Sequence, residues 1–153
     1  MQQYAVIVAG GKGTRMGKDV PKQFIELNGL PILANTLLRF SQAMPSIQLI
    51  VVLPKDQVAF WQDWVAQLDF AIPHQVVFGG KSRFQSVKNG LNAIDDQAEG
   101  IVAIHDGVRP FVLPETIRKS FNIAGDKGNA IVSVVVDKPD AAANLLNERL
   151  IAA

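Results

Sequence analysis

The sequence predicts an α/β fold, a Rossmann-like three-layer domain with a mostly parallel central sheet. Short apolar runs such as Ala5–Ala9 and Ile47–Leu53 are rich in β-branched residues and lack strict alternation, as expected of parallel strands covered on both faces. Longer stretches with helical periodicity lie between these runs. Regular alternation of strand and helix favours right-handed crossovers, so the loops at the carboxyl ends of the strands are expected along one edge of the sheet.

The predicted elements follow one another along the whole chain. Phe24–Leu27 is predicted as a short extended segment before a turn at Asn28-Gly29, and Pro31 opens a helix that stops before Pro45. The other predicted strands are Gln75–Phe78, Ile101–Ile104 and Asn129–Val136. The other predicted helices are Lys55–Asp69, Ser82–Ile94, Pro114–Ala124 and Ala141–Leu150. Trp61 and Trp64 are assigned to the core rather than to base stacking, because their helix carries many other apolar residues.

Length and composition limit the classes of protein. The 153 residues suit a single domain over residues 1–153, and the net charge of +1 with dispersed basic residues argues against a nucleic-acid or membrane partner. Cysteine is absent, which excludes disulfides and thiolate metal sites. The first strand begins too early for a signal peptide and no apolar run is long enough to span a membrane, so we expect a cytoplasmic protein.

The loop after the first strand carries the main functional signal. Its glycines are Gly10, Gly11 and Gly13, and its basic residues are Arg15, Lys18 and Lys22. Glycines let a polyanion approach the backbone closely, where N–H groups converge on phosphate oxygens, and the basic side chains add mobile charge. The pattern is typical of a nucleotide site.

Two common glycine motifs do not match this loop. A P-loop reading of Gly17-Lys18 has Lys12 at the first glycine position and Asp19 in place of Ser or Thr. The dinucleotide fingerprint has Met16 at its third glycine, and the second strand ends in Leu53-Pro54-Lys55 without a ribose-binding acid. The sequence therefore disfavours an ordinary ATPase site and an NAD site.

Two further loops are expected at the same edge of the sheet. Gly79–Ser86 offers close backbone approach to a base or ribose and a hydroxyl at Ser86, although a simple strand-to-helix turn has the same composition. In the loop His105–Pro110, Asp106 directly ends an apolar strand. A carboxylate beside triphosphate oxygens needs a cation between them, and Mg²⁺ favours this ligand combination. Asp106 is predicted as a metal ligand, with a loop aspartate paired to Arg109 as the alternative.

His105 is predicted to be a structural residue rather than a general base. A phosphate nucleophile is already ionised near neutral pH, so its attack depends on positioning and charge neutralisation more than on proton abstraction. His74, at the start of a strand, is interpreted in the same way.

The three loops together resemble the 2-C-methyl-D-erythritol 4-phosphate cytidylyltransferase family. The matching residues are Ala9-Gly10-Gly11-x-Gly13-x-Arg15-Met16, Pro21-Lys22-Gln23-Phe24, Gly79-Gly80-x-x-Arg83-x-x-Ser86-Val87 with Asn89-Gly90-Leu91, and His105-Asp106-x-x-Arg109-Pro110. The first segment is shared with the wider nucleotidyltransferase superfamily. The last segment narrows the resemblance to this family and its relative, ribitol-5-phosphate cytidylyltransferase.

The resemblance implies a fold of the nucleotide-diphospho-sugar transferase type and transfer of a cytidylyl group from CTP to a polyol phosphate, with Mg²⁺ as cofactor and a homodimer as the assembly. It implies a cytidine pocket lined by Ala9, Gly10, Gly80, Lys81 and Ser86, and a triphosphate held by Gly11, Gly13, Arg15 and Lys22. It implies catalytic roles for Arg15, Lys22 and Asp106. Asp106 would also contact the metal and the substrate, and Arg109 would support the substrate side.

The resemblance covers about residues 3 to 136 and then changes. The family's Q-T-P-Q segment, its subunit-exchanging arm and its I-K-x-T strand are not found in the sequence, as though an internal block were omitted after about residue 136. Residues 141–150 are similar to the family's C-terminal helix. Two alternatives stay open at this point: ribitol 5-phosphate as the acceptor, and a non-catalytic nucleotide-binding protein.

Overall fold

The computed structural model describes residues 1–10, 20–95, 99–134 and 148–151. The chain divides into two compact units, Met1–Val112 and Leu113–Ala153. The prediction of one domain over residues 1–153 stays a prediction. Among the described residues, no helix combines the length and the apolar character that a membrane crossing requires.

The described residues of the first unit form six strands and three α-helices. The strands are β1 (Gln2–Val8), β2 (Glu26–Leu27), β3 (Leu30–Pro31), β4 (Gln48–Leu53), β5 (Gln75–Phe78) and β6 (Gly100–Asp106). The helices are α1 (Ile32–Ala43), α2 (Lys55–Gln67) and α3 (Arg83–Leu91), with a short 3-10 helix at Lys22–Phe24. A four-stranded sheet has the order β5-β4-β1-β6, and all its pairings are parallel. The predicted α/β class with a mostly parallel sheet is confirmed.

Strand β1 is an inner strand of this sheet. It pairs with β4 from Tyr4↔Gln48 to Val8↔Val52 and with β6 from Gln2↔Gly100 to Val8↔Asp106. Tyr4, Val6 and Val8 form a buried cluster with residues of β4, against which Val87 of α3 packs. Ala5 and Ile7 alternate with them and are also fully buried, so both faces of the strand are covered. This double burial explains the absence of alternation in the sequence.

The segment between β1 and α1 differs in detail from its prediction. Lys22–Phe24 forms a 3-10 helix, so the extended segment is limited to β2. The predicted turn at Asn28-Gly29 is confirmed: both residues have left-handed backbone angles, φ 55° and 79°, and they join β2 to β3 as an antiparallel hairpin.

The assignment of the tryptophans to the core is confirmed for Trp61, which is fully buried. Trp64 is partly buried and stacks on it, with ring centroids 5.3 Å apart. Phe60 and Leu68 of the same predicted apolar helix are exposed. The buried apolar face of α2 is therefore narrower than the number of apolar residues in its sequence suggests.

The second unit contains α4 (Pro114–Lys127), β7 (Ile131–Val134) and β8 (Glu148–Ile151). The strand predicted over Asn129–Val136 is present as β7, but it pairs antiparallel with β8 instead of continuing a parallel sheet. The helix predicted over 141–150 is wrong at Glu148–Leu150, which belong to β8, and 141–147 lie outside the described residues. Helix propensity is a weak preference, and strand pairing between distant residues overrides it here.

Gly90 is the point at which α3 approaches the sheet. A Cβ atom added to Gly90 would lie 2.4 Å from Cγ1 of Val6 and 2.9 Å from Cγ2 of Val52. Both valines belong to the buried cluster and have little freedom to move.

We expect Gly90→Ala to destabilise the protein by about 1–3 kcal/mol, because overpacking of the core outweighs the gain in helix propensity of about 1 kcal/mol. Urea unfolding measures the change. Lys88→Ala, on the exposed side of the same helix, is the control and should stay within about 0.5 kcal/mol of wild type. An equally or more stable Gly90→Ala protein would contradict the close packing.

His74 links the segment before β5 to α2. The Trp61 indole N–H donates to Nε2 of His74 at 2.9 Å, and Nδ1 of His74 lies 2.8 Å from the Ile72 carbonyl oxygen. Because Nε2 accepts, Nδ1 carries the proton and donates, so the neutral ring satisfies both contacts. Burial lowers the pKa of His74 from its usual value, although the hydrogen bond to Ile72 acts in the opposite direction.

We expect stability to fall on acidification. An unfolded His74 titrates near its ordinary pKa of 6.5 and takes up a proton before the folded one does. The contribution of neutral His74 is therefore complete above this pH and is lost as the pH falls through the lower folded pKa. Urea unfolding at about pH 7.5 and about pH 5.5 should show a smaller difference for His74→Gln than for wild type. Equal differences in the two proteins would count against this linkage.

Candidate active site

Three loops begin side by side at one edge of the four-stranded sheet. The parallel hydrogen-bond ladder continues beyond the strands, with N–H groups donating to carbonyls of neighbouring strands: Ala9 to Val52 at 3.0 Å, Gly79 to Leu53 at 2.8 Å and Gly107 to Val8 at 2.8 Å. Each bond places the first residues of a loop beside the end of the adjacent strand. The predicted convergence of the loops is thus present in the described residues.

A cavity of about 390 Å³ lies between these loops. The predicted site residues that line it are Ala9, Gly10, Lys22, Gly80, Lys81, Ser86 and Asp106. Residues without a predicted role line it too: Val8, Gln23, Ser82, Arg83 and Val108. Arg109 contacts the cavity residue Asp106. Gly11, Gly13 and Arg15, predicted to hold the triphosphate, lie outside the described residues.

The loop before α3 is held by side chains of the first turn of that helix. Ser82 caps the helix by accepting from the Gln85 N–H at 3.2 Å. Buried Ser86 accepts from the Gly80 N–H at 3.1 Å, and Oε1 of Gln85 accepts from the Lys81 N–H at 2.9 Å. A Cβ on Gly80 would lie 2.4 Å from Cβ of Gln85, so this position requires glycine. Ser86, predicted to line the cytidine pocket, thus also holds the loop before α3 in shape.

The two buried residues that follow Lys22, Gln23 and Phe24, fix the short 3-10 helix that begins at Lys22. Gln23 is 1% exposed; its amide donates to the Ala9 carbonyl at 3.1 Å and to Oε1 of Gln57. Phe24 packs on Phe60, with ring centroids 4.8 Å apart. Gln23 therefore ties the 3-10 helix to the end of β1. No role was predicted for Gln23, although its place between Lys22 and Phe24 in the matching segment was the available signal.

Helix α1 supports the third loop. The buried Thr36 hydroxyl donates to the Gly107 carbonyl at 2.8 Å, and Nε of Arg39 donates to the Pro110 carbonyl at 3.3 Å. The sequence did not predict these contacts, because a threonine and an arginine on a helix carry no local signal of which residues they contact.

His105 makes structural contacts in the same loop. Its Nε2 donates to the Arg109 carbonyl at 3.0 Å, and its ring meets the Phe40 ring edge to face at 5.1 Å. Burial lowers the pKa of His105, and this effect exceeds the opposing influence of the Arg109 carbonyl and of Asp106. A neutral ring bound to its own loop accords with the structural interpretation of this histidine.

The Asp106 carboxylate lies between two guanidinium groups. Nη2 of Arg83 donates to Oδ1 at 3.0 Å, and Nε of Arg109 donates to Oδ2 at 3.0 Å. The Arg109 pairing is the alternative that the sequence left open for Asp106, and the Arg83 contact was not foreseen. Among the described residues that line the cavity, Asp106 is the one acidic side chain.

The carboxylate oxygens of Asp106 are of the ligand type that a nucleotide-bound Mg²⁺ prefers. Within the described ranges, no three His, Asp or Glu side chains gather into a protein-only metal site. Magnesium at such sites takes one or two carboxylates and completes its shell with phosphate and water oxygens. A single carboxylate therefore fits, provided that the nucleotide supplies most of the ligands.

Comparisons with known proteins agree on one family. The family model for IspD, 2-C-methyl-D-erythritol 4-phosphate cytidylyltransferase, matches residues 3–149. A relative of that name from Bacteroides thetaiotaomicron is 47% identical over 135 residues, which are 88% of this chain and 60% of the relative. Another from Porphyromonas gingivalis is 50% identical over 127 residues, 83% of this chain and 55% of the relative. The chain thus spans little more than half the length of these relatives.

The solved structures include a similar fold. The crystal structure of 4-diphosphocytidyl-2C-methyl-D-erythritol synthase from Anaerococcus prevotii has a TM-score of 0.71 and 31% identity, covering 90% of this chain and 57% of that protein. The match of the family model over nearly the whole chain shows that this protein belongs to the IspD family of 2-C-methyl-D-erythritol 4-phosphate cytidylyltransferases.

Proposed function

We propose that the protein transfers a cytidylyl group from CTP to 2-C-methyl-D-erythritol 4-phosphate. The products are 4-diphosphocytidyl-2-C-methyl-D-erythritol and pyrophosphate, and the reaction belongs to non-mevalonate isoprenoid biosynthesis. The observation that carries the proposal is the cavity that Lys22, Ser86 and Asp106 line together. Family membership supports the choice of CTP and 2-C-methyl-D-erythritol 4-phosphate as the two substrates.

The nucleotide side of the cavity is assigned to Ala9, Gly10, Gly80, Lys81 and Ser86. The first and second loops approach each other there, since a Cβ on Gly10 would lie 3.9 Å from Oγ of Ser86. The triphosphate is assigned to Lys22 and, from the resemblance alone, to Gly11, Gly13 and Arg15.

The chemistry requires charge neutralisation more than proton transfer. An acceptor phosphate oxygen attacks the α-phosphorus in line, a new phosphorus–oxygen bond forms, and the bond to the β-phosphate oxygen breaks. Lys22 and Arg15 stabilise the negative charge on the α-phosphoryl oxygens and on the departing pyrophosphate, where preorganised cations are most effective. No general base is needed, because the attacking phosphate is already ionised.

The acceptor side is assigned to Asp106 and Arg109. Mg²⁺ is part of the proposal: when bound to the nucleotide it neutralises phosphate charge, and Asp106 is the residue that would hold it. A homodimer, which the family resemblance implies, and a cytoplasmic location are also part of the proposal. Neither nucleic acid nor a membrane is proposed as a partner.

We expect Lys22→Ala to lower kcat by a factor of about 10²–10³, as for the loss of one preorganised charge contact. The side chain is exposed, so the fold should be retained. Pyrophosphate release measures the rate, and circular dichroism checks the fold. Lys88→Ala removes an exposed lysine outside the cavity and should leave the rate unchanged. Normal turnover by Lys22→Ala would refute the assigned role.

A panel of acceptors tests the substrate. With CTP and Mg²⁺, pyrophosphate should appear faster with 2-C-methyl-D-erythritol 4-phosphate than with ribitol 5-phosphate. CTP at about 100 times its Kd should stabilise the protein by about 2.7 kcal/mol, seen as a rise in Tm. Pyrophosphate with ribitol 5-phosphate alone would favour the related cytidylyltransferase. A rise in Tm without pyrophosphate from either acceptor would favour a non-catalytic nucleotide-binding protein.

A further inference from the structure

Arg83 connects two loops of the site that are distant in sequence. Arg83 is the first residue of α3 and belongs to the segment Gly79–Ser86 that is assigned to the nucleotide. Asp106 is the last residue of β6, where the acceptor loop begins. Their contact, 3.0 Å from Nη2 of Arg83 to Oδ1 of Asp106, spans 23 residues of sequence. The other oxygen of Asp106 accepts from Arg109, so each oxygen has its own guanidinium donor.

This contact is poorly placed to stabilise the fold. The side chains of Arg83 and Arg109 are 62% and 73% exposed. Exposed ion pairs contribute little to folding, because water screens the charges and ordering long side chains costs entropy. The contact instead restricts the orientation of the Asp106 carboxylate. A carboxylate with one donor on each oxygen is restricted in rotation, whereas the same group with Arg109 alone has one oxygen without this restraint.

We propose that Arg83 is a positioning residue for Asp106, and that through this contact the nucleotide loop sets the orientation of the acceptor-side carboxylate. Further hydrogen bonds hold the residues around Arg83 and around Asp106. Ser82 and Ser86 hold the start of α3, and the Arg109 N–H donates to the Asp106 carbonyl at 3.1 Å. The kinetic consequence of this inference rests on the proposed function.

Arg83→Gln removes the guanidinium without adding bulk. We expect kcat/KM for the polyol phosphate to fall about 10–100-fold through misplacement of Asp106, while the Kd for CTP changes by less than about threefold. Arg83→Lys keeps the charge and should recover part of the loss, although an ammonium group lacks the planar geometry of guanidinium. In an Asp106→Asn background, Arg83→Gln should have no further effect, since the two residues act as a unit.

The matched control is Lys88→Gln, which removes one positive charge from an exposed position of the same helix and should leave every parameter unchanged. Unchanged kinetics in Arg83→Gln would overturn the inference. A faster Arg83→Gln enzyme would also overturn it, since Arg83 would then obstruct Asp106 rather than position it.

A second measurement does not need turnover. Hydrogen–deuterium exchange over residues 105–110 should be faster in Arg83→Gln than in wild type or Lys88→Gln, because Asp106 loses a restraint. If wild type releases no pyrophosphate with any acceptor but exchange increases, the proposed function fails and the positioning role stands. If exchange in residues 105–110 is unchanged, the positioning role fails whether or not the enzyme is active.

Discussion

Parallel pairing of β1 with β4 on one side and β6 on the other is the interaction on which the site depends. The register brings Val8 opposite Val52 and Asp106, so the ends of three strands lie at one level. In a parallel sheet every strand points the same way, and the loops at the carboxyl ends must therefore share an edge. Asp106 and Gly10, almost 100 residues apart in sequence, line the same cavity for this reason.

Three buried polar side chains hold the described parts of the loops around the cavity in place. Gln23 binds the end of β1, Ser86 binds the loop before α3, and Thr36 binds the loop after β6. A buried polar group is costly unless it is hydrogen-bonded, and in the described part of the chain no buried side-chain nitrogen or oxygen lacks a partner. Each of these contacts anchors a loop to an element that is already packed. The proposed cytidylyl transfer depends on such preorganisation.

The charge of the cavity differs from that of the whole chain. The net charge is only +1, but in the described lining of the cavity Lys22 and Lys81 add positive charge, while the carboxylate of Asp106 is already paired with arginine. Local excess of one sign in a concave surface attracts ligands of the opposite sign. This local charge is what the proposed binding of CTP requires, although the net charge of the whole chain is small. The pairing of Asp106 with two arginines also leaves that carboxylate compensated before any ligand binds.

Local pattern in the sequence determined the α/β class, the parallel strands and the burial of Trp61, because burial on two faces and helical periodicity leave a direct trace in the order of residues. It also identified the loops that carry Lys22, Ser86 and Asp106. Tertiary structure alone decided which side chains support those loops: Gln23, Thr36 and Arg83 act on partners 14, 71 and 23 residues away, and no local pattern encodes such a distance. For the same reason Glu148–Leu150 form a strand against a helical sequence pattern, since the pairing partner of β8 is set by long-range contact and not by propensity.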